Sequence, residues 1–198
     1  GGNFKIFEDI LINYNEYKFC DNFIIWGQKK NRKKEVFLPS IRINNFYKKN
    51  SMSQLTKKFD VCYVLKPIIK NGFNHPFYLN SNIDYNNDKA KFFEHFNKGL
   101  IIKSYAEKNR YINQINDKAL ARLFKVKPTQ INSNFKIVFE SKVLIFDYIS
   151  TMIFEMINLN KPIILILDQK DLYLSNYGKN FLKDLRDMGI LHTSHNLL

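Results

Sequence analysis

Cysteine is scarce in this sequence. Cys20 and Cys62 are the two present, and neither lies in a Cys-x-x-Cys pair or at metal-ligand spacing from a histidine. That excludes the disulfide framework of a small secreted domain and fits a reducing, cytosolic compartment. Both sit in apolar, strand-like runs, where a buried free thiol is expected. Long apolar runs are missing too: Val143–Phe146 and Pro162–Leu167 are far too short to span a bilayer, and no signal peptide is expected. There is no repeat and no long low-complexity tract. No Gly-x-Gly-x-x-Gly, Walker A or His-Glu-x-x-His pattern occurs, and spacing alone identifies no Ser-His-Asp arrangement. His75 and His95 are isolated and read as structural or exposed. His192 and His195, three apart, lack a Glu or Cys partner, so no metal site is expected. Acidic residues are in deficit, 18 against 31 Lys and Arg, leaving a formal charge of +13.

What is there suits one folded unit. A chain of 198 residues, 45% hydrophobic, is long enough for one α/β domain with a sizeable core and short for two, so residues 1–198 are read as a single domain. Eighteen Phe and 11 Tyr place it far from disordered composition. The basic excess calls for an acidic partner, whether nucleic acid, nucleotide or anionic membrane, without choosing among them. Part of it reflects general overuse of Lys alongside Asn, Ile and Phe, as in AT-rich genomes.

Along the chain, apolar positions 4, 7, 11 and 14 predict a helix over Phe4–Tyr17. Phe23–Trp26 reads as a strand ended by Gly27, Lys29–Lys34 as a basic loop and Val36–Ile43 as extended. Val61–Leu65 is β-branched and apolar, a buried strand closed by Pro67. Asn71–Asp88, rich in Asn, Asp, Pro and Gly, reads as a loop with at most a short helix. Ala90–Asn97 is helical, Leu100–Tyr105 a strand, Asp117–Phe124 a helix, and Phe135–Phe139 and Val143–Phe146 strands. Thr151–Leu159 is a helix, Pro162–Leu167 the strongest strand, and Leu174–Met188 a helix ending at Gly189. Alternating strands and helices predict a Rossmann-like parallel sheet with helices on both faces, binding its ligand at the carboxyl ends of the strands.

The most informative segment is Lys142–Asp168. Its first strand ends in Asp147, and Tyr148-Ile149-Ser150-Thr151 leads directly into a helix. Ser150 and Thr151 are natural N-caps. A hydroxyl-bearing turn at a helix N-terminus makes an anion site, because free N–H groups and the helix dipole point at the ligand. Glu155, one turn into the helix, is placed to accept bonds from ribose hydroxyls. The plainer alternative is an ordinary cap followed by a solvated glutamate.

This segment resembles the strand–Asp-x-x-Ser-Thr-x-x-x-Glu–helix–Asn-x-Pro–strand block of GT-B-type surface carbohydrate transferases. The resemblance is to the LIC12162 transferase family and, more distantly, to the CDP-glycerol glycerophosphotransferases. It rests on Asp147, Ser150, Thr151, Glu155, Asn160 and Pro162. Phe181-Leu-Lys-Asp-Leu and Met188-Gly-Ile-Leu-His192 fit as well, as do Gly1-Gly2-Asn3 and Phe23-Ile-Ile-Trp26-Gly27, with a patchy stretch between Pro67 and Asp88. The resemblance implies the C-terminal, donor-binding domain of a GT-B architecture. It also implies that the preceding His and the acceptor-side N-terminal domain lie outside this chain, so that no catalytic residue is assigned. Where the family has an Arg at a strand end this sequence has Lys103, a point charge without the guanidinium fork. Arg110 is a nearby alternative, and Ser40 and Arg42 are weaker phosphate candidates.

The leading expectation is a transferase domain that takes a nucleotide-activated donor (a nucleotide sugar or CDP-alcohol) as substrate, with no separate cofactor. Its binding residues would be Ser150, Thr151, Glu155, Asp147, Lys103 and Arg42. A glycan or lipid-linked acceptor in bacterial surface polysaccharide synthesis, and a cytoplasmic location with peripheral contact to the inner membrane through Lys29–Lys34 and Tyr47-Lys-Lys49, complete that expectation. The alternative is a basic nucleic-acid-binding module. Against it, the aromatics fall at apolar periodic positions and no nucleic-acid-binding motif is present.

Overall fold

A computed structural model describes residues 19–25, 33–38, 56–65, 83–96, 99–104, 117–132, 134–167 and 174–193. Strands β1 (Phe23–Ile25) and β2 (Glu35–Phe37) form a separate parallel pair. The main sheet holds β3 (Phe59–Val64), β4 (Leu100–Lys103), β5 (Ile131–Asn132), β6 (Ser141–Phe146), β7 (Ile163–Ile166) and β8 (Leu191–His192). Its six strands are all parallel, in the order β5-β4-β3-β6-β7-β8. The chain therefore builds outward from β3 in one direction, then crosses back to β6 and builds in the other. That is the doubly wound, Rossmann-type order.

The connecting helices are α1 (Ile83–Glu94), α2 (Asp117–Leu123), α3 (Lys136–Glu140), α4 (Thr151–Asn158) and α5 (Asn176–Asp187). Side chains alternate across a strand, so each strand feeds two cores. Cys62, Val64, Ile101, Leu144, Phe146 and Leu165 face one way, toward Ile137, Met152, Ile153, Met156, Leu182 and Leu185 of α3, α4 and α5. Tyr63, Leu65, Ile102, Ile145 and Ile166 face the other way, toward Phe92, Phe93, Leu120 and Phe124 of α1 and α2. On that side Tyr63 and Phe93 meet edge-on at 4.8 Å, and Phe93 and Phe124 at 5.3 Å. The expected α/β sheet with helices on both faces is present.

Several local expectations are corrected. Phe135–Phe139 is not a strand: Lys136–Glu140 is helical. Asn132 Oδ1 accepts from the Asn134 amide at 2.7 Å and Asn134 Oδ1 from the Lys136 amide at 2.9 Å, and these side-chain bonds start the turn that β-branched Ile137 and Val138 disguise. The helix expected from Ala90 starts earlier, inside the Asn/Asp-rich run that allows a short helix: α1 begins at Ile83. Burial of Ala90, Phe92 and Phe93 overrides the weak helix propensity of its first turns. Cys20 is half-buried and lies before β1 rather than in a strand. Cys62 is buried in β3, and desolvation pushes its thiol up to about 12. The helix expected over Phe4–Tyr17 lies outside the described residues.

The amino edge of the sheet is tied by specific contacts. Gly99 has φ +84, and its carbonyl accepts the amides of Asp60 and Val61 at 2.9 and 3.0 Å. Lys57 and Lys161 both donate to the Phe139 carbonyl at the end of α3, at 2.9 and 3.3 Å, and Lys161 also reaches the Ser141 carbonyl. Burial, then the neighbouring Lys57, pushes the Lys161 ammonium down to about 8.

Two predictions follow from that edge. An alanine at position 99 must hold a left-handed backbone, so Gly99→Ala should lower unfolding free energy by about 1–2 kcal/mol in urea melts. Between pH 8 and the ordinary lysine value of about 10.4 the unfolded chain binds the Lys161 proton and the folded chain does not. The stability difference between wild type and Lys161→Met should therefore shift in favour of wild type as pH rises through that window, read by denaturant melts at each pH.

Candidate functional site

The strand order reverses between β3 and β6, and ligands of such sheets bind in the crevice outside the carboxyl ends at that point. Here Val64 of β3 is in register with Lys103 of β4 on one side and Phe146 of β6 on the other. Strand spacing then puts the ends of β4 and β6 roughly 10 Å apart, with the end of β3 between them. Asp147 follows β6 directly, and the chain turns through Tyr148 and Ile149 to Ser150. The sheet thus brings the Lys103 strand end and the Ser150–Thr151 turn to one rim.

Ser150 occupies the N-cap of α4 with extended backbone, φ −133 and ψ 163. Its carbonyl accepts from the Ile153 amide at 3.2 Å. Its hydroxyl makes no capping bond: Oγ is buried and has no hydrogen-bond partner. The reading of Ser150 as an ordinary cap is therefore overturned. Ser175, by contrast, caps α5 in the usual way, accepting from the Gly178 amide at 3.0 Å. Thr151, the first residue of α4, is half-buried, and the first turn carries no acidic residue. An anion approaching this N-terminus meets amides and hydroxyls without an opposing carboxylate in that turn.

Lys103 is 5% exposed, and its Nζ donates to the Ser104 carbonyl at 2.6 Å. Being in register with Val64 and Phe146, it shares their face of the sheet, the one α4 covers. Asp147 points the opposite way and is buried against α1, where Lys89 Nζ lies 2.5 Å from its Oδ2. The two form a buried ion pair. Glu155 is not a solvated helix residue, because it is 1% exposed. A carboxylate so placed must be satisfied by polar neighbours.

Asn160 and Pro162 have structural roles. Asn160 takes φ +51 just past α4, the Lys161 amide bonds back to the Met156 carbonyl at 3.0 Å, and the Pro162 carbonyl accepts from Leu144 of β6 at the same distance. This is a left-handed helix stop feeding the next strand. His192 ends β8, two strands beyond β6, with Nε2 3.1 Å from the Gly189 carbonyl. His95 is exposed and holds the Lys91 carbonyl. Arg42, Ser40, Arg110, His75, His195 and most of Lys29–Lys34 lie outside the described residues. No cluster of three or more His, Cys, Asp or Glu suited to a metal occurs among the described residues. None of the described helices is long and apolar enough to cross a membrane.

The chain matches the family model described as LIC12162 family transferase over residues 1–197. It belongs to the LIC12162 transferase family. No curated protein and no solved structure matches it. The matched span includes Lys103, Asp147, Ser150, Thr151 and Glu155.

Lys89 is the residue that sequence reading missed. It sits at the end of an Asn/Asp-rich stretch that looks like loop. The signal was its spacing, three and four residues before the buried Phe92 and Phe93, which places it on the inner face of α1.

Because Ser150 makes no capping bond, Ser150→Ala should change unfolding free energy by less than about 0.5 kcal/mol, whereas losing a working cap costs about 1 kcal/mol. Ser175→Ala is the internal comparison, and thermal melts of both variants read the difference.

Proposed function

We propose that this transferase-family chain is the donor-binding domain of a GT-B-like enzyme and takes a nucleotide-activated donor, a nucleotide sugar or CDP-alcohol, in bacterial surface polysaccharide synthesis. The observation that carries the proposal is the buried, partnerless Ser150 hydroxyl at the N-terminus of α4, beside the strand-order reversal. In this reading the donor's phosphates sit at the Ser150–Thr151 turn, and the α4 amides and Lys103 stabilise the charge left on the departing phosphate. Lys103 would exchange its Ser104 carbonyl for phosphate oxygen. Glu155, one turn into α4, would contact the donor's ribose; Asp147, paired with Lys89 on the opposite face, would support the turn from behind, and Arg42 would add a further cation. The acceptor is a glycan or lipid-linked molecule, taken at the cytoplasmic side of the inner membrane.

The nucleic-acid alternative is disfavoured by the packing. Tyr63, Phe92, Phe93 and Phe124 are buried in one core and cannot stack on bases.

Calorimetric titration with CMP, CDP, UDP, GDP and ADP, and with a short DNA duplex, tests the proposal. Saturable binding of one nucleotide is expected. Each hydrogen bond to a charged phosphate contributes about 1.5–3 kcal/mol, so Ser150→Ala combined with Thr151→Ala should raise Kd at least about ten-fold. An unchanged Kd in the double variant would sink the site assignment. Binding of duplex alone, with steep salt dependence, would favour the nucleic-acid module.

A further inference from the structure

The pair Lys89–Asp147 is built unlike the other described ion pairs. Its side chains are 3% and 0% exposed, whereas Lys58–Glu140 and Lys142–Asp60 each have at least one side chain more than half exposed. Two buried charges stabilise a fold poorly, since apolar replacements of similar volume often do as well, and their best-attested use is to fix register. The position suits that use. Asp147 is the pivot where the chain leaves β6 and turns toward the α4 face, yet its side chain is held on the opposite face by a helix from the other half of the sheet. The Ser150 N-cap follows three residues later.

We propose that Lys89 is a positioning residue: through Asp147 it sets the course of the Asp147–Ser150 turn and hence where the α4 amides and the Ser150 hydroxyl point. Helix α1 and the start of α4 then move as one unit, although they lie on opposite faces of the sheet. The pair locks the site's rim to the half of the molecule that carries β3 and β4, and so to Lys103. Any ligand that draws the turn inward also draws on α1.

The test removes both charges together, Lys89→Met with Asp147→Leu, so that no buried charge is left alone. The full chain is studied by amide hydrogen exchange. Exchange at Ile153 and Phe154, normalised to Leu144–Phe146 of β6 in the same molecule, should accelerate at least ten-fold, while the melting midpoint stays near that of wild type. A purely structural pair would move the midpoint and leave that ratio unchanged, and an unchanged ratio overturns the proposal. Should the double variant fail to fold, Lys89→Gln with Asp147→Asn, which keeps the size and polarity of both side chains and leaves no charge, is read by the same ratio with the same two outcomes. Where wild type binds a nucleotide, the double variant should also weaken it at least ten-fold. That arm alone rests on the donor-binding reading. If wild type binds none, the donor reading fails and the exchange ratio still decides the role of Lys89.

Discussion

An all-parallel sheet has to be covered on both faces, because its strands carry apolar side chains up and down and its crossovers are the only cover available. In this chain that requirement is met by two groups of helices, α1 and α2 on one side, α3, α4 and α5 on the other. The switch between them happens once, as the chain passes from β5 through α3 to β6. Every feature of the candidate site descends from that switch. It sets Lys103 and the start of α4 at one rim and puts the Asp147 side chain under α1.

The sheet was largely legible from sequence. Val61–Leu65, Val143–Phe146 and Pro162–Leu167 are continuous apolar runs, as strands buried on both faces must be, Leu100–Tyr105 opens on one, and all four appear as strands within a residue or two of the expected bounds. What escaped was short or disguised. β5 and β8 are two-residue edge strands, defined by pairing with a neighbour rather than by any run of their own. Helix α3 has only five residues, too few to show a helical period, and its β-branched pair imitates a strand.

The candidate site was legible by residue type but not by role. Ser150 and Thr151 stand out as a helix start, yet sequence cannot tell a hydroxyl that caps from one left without a partner. Only the comparison of Ser150 with Ser175 makes that distinction. Glu155 and Lys103 look like surface residues from their identity, and burial on a covered sheet reverses that reading. The Lys89–Asp147 pair joins positions far apart in the chain, so no local pattern announces it. Membership of a transferase family fixes the broad activity, while the geometry supplies the reason to look at one rim of the sheet for it.

The described chain reversals and the candidate site lie at opposite ends of the sheet. At the amino edge the stops are tight: Gly99 and Asn160 take left-handed backbone, Gly189 does the same after α5, and lysines hold the end of α3. At the carboxyl edge the turn from β6 to α4 takes only Asp147–Ser150, and it carries the candidate site. Sequence change is therefore channelled by architecture. Side-chain exchanges at the carboxyl rim leave the helix stops and strand registers untouched, so the same scaffold can be refitted for a different ligand. A comparable change at the opposite edge would break the chain reversals that the sheet is built on.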